Sequence, residues 1–415
     1  MINSNIIKTQ NNTVTDLVTW LLAAGIAVTM VWFPFLNGAL CVLFFLMRVY
    51  QTKFRFRINQ PFLFFILTGA FVVSAISFFY SANVKEALNT LQLKLPLLVF
   101  PLAFADGSYG TAQKKNQLLY LFSGSVLLYC LVLIGKAILF YWKSGNVNDL
   151  FGYHILPLQY VYPSVAALFC VFGVAIHMHL INGKKNLLCH LIAVLVFLIT
   201  LFLLSNRLGL ISGILLIVYF VIRMFPGLKL QILTGSILLV LITGFILINQ
   251  PLRNRFQTLF QFNKALMVPL DEDASLGKSW DGLYLRIAIW NCAADVIKSN
   301  PVTGVGVGDV QDELQKSYEN RKFYFASRYN RYNAHNQFIE QWLMTGLIGL
   351  LFLMLAMAVP FYYSIRKGDV LYSLFLLVFI LFCCTESMLE ISKGVVWYSF
   401  FNSIFAFNQH KPINP

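Results

Sequence analysis

Three side chains in the 415-residue sequence have the types needed to grip a phosphate and to take a proton from a hydroxyl: Arg207, Arg286 and His335. A guanidinium presents N–H groups in a fixed fork that matches phosphate oxygens. An imidazole is the usual general base near neutral pH. Arg207 lies in SNRLG at 205–209, in a short turn between two apolar runs. Ser205 or Asn206 is placed to cap the helix that follows, and that helix N-terminus adds free N–H groups and partial positive charge. On spacing alone, Arg207 reads equally as a snorkelling side chain that meets lipid headgroups in general. Arg286 lies in DGLYLRIAIWNCAADVIKSNP, where Leu283, Ile287, Trp290, Ala294 and Ile297 recur at helical intervals. Asp281 is the expected N-cap and Asn300-Pro301 the expected stop. Arg286 is one turn from Trp290 and is either directed at the membrane-facing surface or an ordinary solvated charge. His335, in YNAHNQFIEQW, closes a polar stretch just before the next apolar run. It reads as a base or as a plain loop histidine.

Other candidates have simpler explanations. Gly304, Gly306 and Gly308 lack the spacing of a phosphate-cradling loop and no strand–helix unit surrounds them, so a tight backbone turn is the expected use. His177, His179 and His190 are scattered and resemble a metal site weakly. Glu386 and Glu390 stand at i, i+4, and the default is pairing with Lys393, with acid–base work as the alternative. Lys94, near the end of an apolar run, either snorkels outward or marks a function. The seven cysteines lie mostly in apolar runs or in adjacent positions and suggest packing, not a disulfide framework.

The elements that must position these residues follow from composition. The chain is 58% hydrophobic and 12% charged, with mean hydropathy +0.71, against about 25% charged in a soluble domain. Apolar runs recur near 17–33, 35–50, 62–80, 91–105, 117–142, 160–180, 186–204, 208–223, 230–248, 339–362, 370–384 and 394–407. Spanning a bilayer takes roughly 20 residues, and backbone groups in hydrocarbon must be paired internally, which requires helices. The expected fold is therefore all-α, a polytopic membrane bundle of about 12 helices. Residues 1–248 hold helices one to nine, 249–338 form a large, partly helical external loop, and 339–415 hold the last three helices and a tail. Basic residues cluster on one side, at Arg48, Lys53, Arg55, Arg57, Lys114, Lys115, Lys184, Lys185, Arg366 and Lys367. The short connections opposite carry Lys85, Lys143, Arg207 and Lys393. That asymmetry places both termini in the cytoplasm and the loop outside. It also accounts for the net charge of +14 without a nucleic-acid partner.

Taken together, S-N-R-x-G at 205–209, R-x-x-x-W at 286–290 running into NPVTGVGVG at 300–308, and H-N-x-F at 335–338 followed by TGLIGLL at 345–351 resemble the O-antigen ligase and polymerase superfamily. The motifs cover roughly residues 200–355; the remainder resembles the family in topology alone. The resemblance implies a GT-C type glycosyltransferase of the bacterial inner membrane with its active site facing the periplasm. It implies a donor glycan on undecaprenyl diphosphate, inversion at the anomeric carbon, no metal and no cofactor. Arg207 and Arg286 would hold the diphosphate and His335 would be the base. The first expectation is an O-antigen ligase with a lipid A–core acceptor. Alternatives within the superfamily are an O-antigen or exopolysaccharide polymerase and a protein O-oligosaccharyltransferase. Outside it stands a lipid-linked glycan flippase, which would carry charge along many spans.

Overall fold

Prolines punctuate the apolar runs and set where the helices begin. Pro34, Pro61 and Pro96 sit in the first helical turn, where the missing N–H costs nothing. The computed structural model describes residues 2–107, 111–156, 161–181, 186–224, isolated positions between 227 and 253, and 282–407, with backbone alone for 2–13. The described helices are α1 (Ile2–Thr29), α2 (Pro34–Thr52), α3 (Pro61–Ser77), α4 (Val84–Lys94), α5 (Pro96–Phe104), α6 (Ala112–Ser144), α7 (Pro163–Ile181), α8 (Leu187–Leu203) and α9 (Arg207–Met224). They continue with α10 (Gly282–Ser299), α11 (Val310–Asn320), α12 (Gln337–Arg366), α13 (Val370–Cys383) and α14 (Ser392–Ala406). Among the described residues there is no strand, so the fold is an all-α polytopic bundle.

Among the described residues, six segments are long and apolar enough to cross a membrane: Pro34–Thr52, Pro61–Tyr80, Val84–Phe104, Ala112–Ser144, Pro163–Ile181 and Gln337–Arg366. Val14–Thr29, Leu187–Leu203 and Val370–Cys383 are shorter apolar helices. Every run expected to span coincides with a described helix except the ninth, 230–248, which falls largely outside the described residues. The fourth run is broken into α4 and α5 at Leu95–Pro96. All seven cysteines are free thiols.

Burial sorts the helices into centre and rim. In α7, 83% of the apolar window is buried, against 17% in α2. The centre is aromatic. Trp397 of α14 is fully buried, 4.6 Å from the Phe375 ring of α13 and 5.2 Å, edge-on, from Phe172 of α7.

The polar segment that precedes α12 joins this bundle through a break in α12. Gly346 has φ 65°, ψ −163° and splits the helix. The break frees the carbonyls of Leu343 and Met344, and they are satisfied from the glycine-rich turn: Val305 and Gly306 donate their N–H groups at 2.8 and 3.0 Å. In return Leu347 N–H and the Trp342 indole donate to the Pro301 carbonyl at 3.0 and 2.9 Å. A Cβ on Gly346 would lie 2.0 Å from the Val302 oxygen, and one on Gly304 would lie 2.6 Å from Gly346 N. The glycines are required by backbone-to-backbone approach, as expected of a turn and unlike a nucleotide loop.

Candidate active site

The turn that ends at Pro301 is continuous with α10, and the break in α12 lies nine residues past its N-terminus, so the Gly346 contact fixes the head of α12 against α10. The head of α12 is set by Asn336, whose carboxamide oxygen accepts from Phe338 N–H and Ile339 N–H at 2.9 and 3.1 Å. His335 therefore stands just outside the helix, with φ 44°.

The structure brings His335 and Arg286 together through a residue that sequence reasoning had assigned elsewhere. Glu386 accepts from Arg286 Nη2 at 2.7 Å with one carboxylate oxygen, and its other oxygen lies 3.1 Å from His335 Nδ1. Arg286 is further held by the Thr385 carbonyl on Nε, 2.9 Å, and the Gly282 carbonyl on Nη1, 3.1 Å. Asn336 Nδ2 donates to the Cys384 carbonyl at 2.9 Å, tying the histidine segment to the same turn. The side chains of Arg286, Glu386 and His335 are 25%, 22% and 26% exposed. They are desolvated enough to strengthen charge-assisted bonds yet open to a substrate.

The chemical capacity of the group follows from donor and acceptor counts. An arginine has five N–H groups and three of Arg286 are used by these bonds, leaving two for a phosphate oxygen. Of the two ring nitrogens of His335, only Nδ1 has a hydrogen-bond partner among the described residues. A carboxylate on Nδ1 selects the Nδ1–H tautomer, which leaves Nε2 as the proton acceptor. Burial disfavours the ionised form of two further groups of this segment. Burial pushes the Cys292 thiol up to about 12, and burial likewise raises the phenol of Tyr332, whose ring lies 5.6 Å from that of His335.

Several expectations change. Glu386 and Glu390 do not pair with Lys393: Lys393 Nζ donates to the Val31 carbonyl at 2.6 Å and Glu390 takes Lys94. The reason is the end of α13 at Cys383. Residues 384–391 are irregular apart from a short 3-10 turn at Met388–Glu390, so helical i, i+4 geometry does not apply. Lys94 does not snorkel; it is 1% exposed. The buried face of α10 is Ile289, Cys292, Ala293 and Val296, rotated from the stripe expected from spacing, because α11 packs there and Ser317 Oγ donates to the Cys292 carbonyl at 2.9 Å. Trp290 stays half-buried at the edge and donates to the Ala334 carbonyl at 2.9 Å. The expected cap Asp281 lies outside the described residues, while the stop before Asn300-Pro301 is where α10 ends. In the sequence Glu386 stands with Glu390 at the end of an apolar run, with pairing to Lys393 as the default and acid–base work as the alternative; nothing in the spacing points to Arg286 or His335.

Arg207 is the first residue of α9, as the SNRLG reading expected, and Asn206 caps that helix: its side-chain oxygen accepts from Gly209 N–H at 2.8 Å. Among the described residues, the hydrogen bonds that join His335, Glu386 and Arg286 do not extend to Arg207.

A bundle of apolar helices carrying a guanidinium, a carboxylate and an imidazole at the junction with a polar segment defines an integral membrane protein with an enzyme-like site. Residues 192–354 match the model of the O-antigen ligase family, so the resemblance read from the three motifs holds, and the match is consistent with a membrane enzyme of the ligase and polymerase kind. The chain is also similar to an uncharacterized protein of Haemophilus influenzae, 26% identical over 317 residues that cover 74% of this chain and 72% of the relative.

Proposed function

We propose that the chain is an O-antigen ligase of the bacterial inner membrane. In this reading both termini are cytoplasmic, residues 249–338 form the periplasmic part of the site, and the flanking segments 1–248 and 339–415 are the membrane domain. The donor is a glycan on undecaprenyl diphosphate and the acceptor a sugar hydroxyl of lipid A–core. The observation that carries the proposal is the continuous contact Arg286–Glu386–His335, which joins a phosphate-binding group to a base.

The reaction is a single displacement. The acceptor hydroxyl oxygen attacks the anomeric carbon, the bond from that carbon to the diphosphate oxygen breaks, and the diphosphate leaves with the electron pair. The hydroxyl proton passes to Nε2 of His335, worth about 10²–10⁴-fold in rate. Glu386 holds the ring and stabilises the imidazolium that forms. Arg286 and Arg207 take up charge on the departing diphosphate. Attack from the face opposite the leaving group inverts the anomeric centre.

The test is deletion in a host whose lipopolysaccharide carries a long glycan, followed by gel analysis with complementation. Bare core with polymer retained on the carrier lipid supports the ligase, and failure of His335→Ala to restore the ladder at normal membrane abundance supports the base. Core bearing one repeat unit would make the chain a polymerase. An unchanged ladder with lost protein glycosylation would make it an oligosaccharyltransferase.

A further inference from the structure

Two residues beside the site have their backbones gripped at both N–H and carbonyl, and one turn of α12 supplies a grip to each. Ala334, next to His335, donates its N–H to Glu340 Oε2 at 2.8 Å and accepts at its carbonyl from Trp290 Nε1 at 2.9 Å. Leu389, three residues past Glu386, donates its N–H to Gln337 Oε1 at 2.6 Å and accepts at its carbonyl from Lys94 Nζ at 3.3 Å. Gln337 and Glu340 are three apart in the first turn of α12, hence on one face. They are 0% and 5% exposed. Gln337 also donates to Glu390 at 3.3 Å, and Glu390 is ion-paired to Lys94. Buried polar side chains of this kind are expensive unless fully satisfied. Here each is spent on the backbone of a segment that carries a site residue.

The backbone of His335 needs such support. A non-glycine residue at φ 44° is held only where its surroundings over-determine it. Glu386 lies in an irregular segment with no helix to fix it. The His335–Glu386 contact joins residues 51 apart in sequence, and its length depends on how those two segments are registered.

We infer that Glu340 and Gln337 are positioning residues: from a single helical turn they register the His335 segment against the Glu386 segment, acting as hydrogen-bond acceptors and not as proton carriers. This rests on the proposed roles of His335 and Glu386, so the test has an arm that does not depend on glycan transfer. Purified full-length chain is treated with diethyl pyrocarbonate, and carbethoxylation of His335 is followed by peptide mass spectrometry with the exposed His154 as internal reference. Glu340→Ala changes the His335 labelling rate by about fivefold or more, as expected of a released strained backbone, whereas Glu340→Gln, which keeps the acceptor oxygen, stays within about twofold. In the transfer assay Glu340→Ala lowers kcat by about 10–100-fold with donor KM within about twofold, and Glu340→Gln restores most of it. If Glu340→Ala does not accumulate in membranes, Glu340→Asp withdraws the acceptor by one methylene and the same readings decide. Unchanged labelling in the Ala or Asp variant overturns the inference, as does a Gln variant as disturbed as the Ala variant. Transfer that survives His335→Ala would instead overturn the functional reading, with the labelling result still deciding the positioning role.

Discussion

The molecule contains two histidine centres, and their difference shows what turns an imidazole into a base. At His335 one ring nitrogen faces a carboxylate that is itself paired to a guanidinium, and the residue is at the junction of the bundle with the polar segment. At His177, inside the bundle, Nδ1 lies 2.9 Å from His190 Nδ1 and Nε2 lies 2.8 Å from Ser123 Oγ. Both nitrogens of His177 are occupied, by groups of which neither is a carboxylate, so no nitrogen remains to accept a proton from a substrate. A base needs one nitrogen anchored and the other open; His335 meets that condition and His177 is a cross-link between α6, α7 and α8. His177 and His190, scattered in the sequence, are paired in the fold. Among the described residues no group of three or more His, Cys, Asp or Glu is placed to hold a metal ion.

The contrast is broken most directly by exchanging the fates of the two centres. His335→Ala and Arg286→Ala should each lower glycan transfer by about 10²–10⁴-fold at normal membrane abundance. His177→Ala should leave transfer per folded molecule near the parent's and lower stability by about 1–2 kcal/mol through its lost hydrogen bonds. A transfer-dead, well-folded His177→Ala protein would end the comparison. Glu386→Gln sharpens it. The amide can still meet Nδ1 but carries no charge to stabilise an imidazolium or to hold Arg286, so kcat should fall by about 10²-fold or more with little change in donor KM.

Next in size is the seam between the polar segment and the bundle. Gly304→Ala and Gly346→Ala put a Cβ within 2.6 Å and 2.0 Å of backbone atoms, at φ values that alanine resists. Each should cost on the order of 3 kcal/mol, read as a lowered Tm in detergent. The smallest effect belongs to the outer surface. The Arg321 guanidinium holds the Asp295 carboxyl below its ordinary range, with distances of 2.5 and 2.9 Å. A depressed carboxyl contributes stability above its unfolded pKa, and loses it as pH falls through the folded one. Asp295→Asn should therefore lower stability at neutral pH by no more than about 1 kcal/mol, read as a small drop in Tm, the pair being part-exposed. That difference should vanish in acid below the ordinary carboxylate range.

Composition and period were enough for the fold. A run of apolar residues long enough to span hydrocarbon has only one backbone solution, so α2, α3, α6, α7 and α12 fall where the sequence puts them. The site was legible in part. Arg286 and His335 stood out because guanidinium and imidazole are rare types in an apolar chain, and an ordered set of motifs tied them together. Spacing misled wherever a helix was interrupted. The i, i+4 relation of Glu386 to Glu390 suggested one helical face, while the end of α13 at Cys383 sends the first to Arg286 and His335 and the second to Lys94.

From the sequence alone come the membrane class, the helix positions, a tight turn at the glycines 304, 306 and 308, and two of the residues in the contact. Each is a property of local chemistry: hydropathy over one span, a turn that needs a positive φ, a side chain with the right donors. Only the tertiary structure decided that Glu386 bridges Arg286 and His335, that Lys94 is buried, and that α10 turns a different face inward. Those outcomes depend on which of several polar side chains reaches a given backbone or carboxylate once helices are broken and packed, and partners 51 to 100 residues apart leave no periodic trace along the chain.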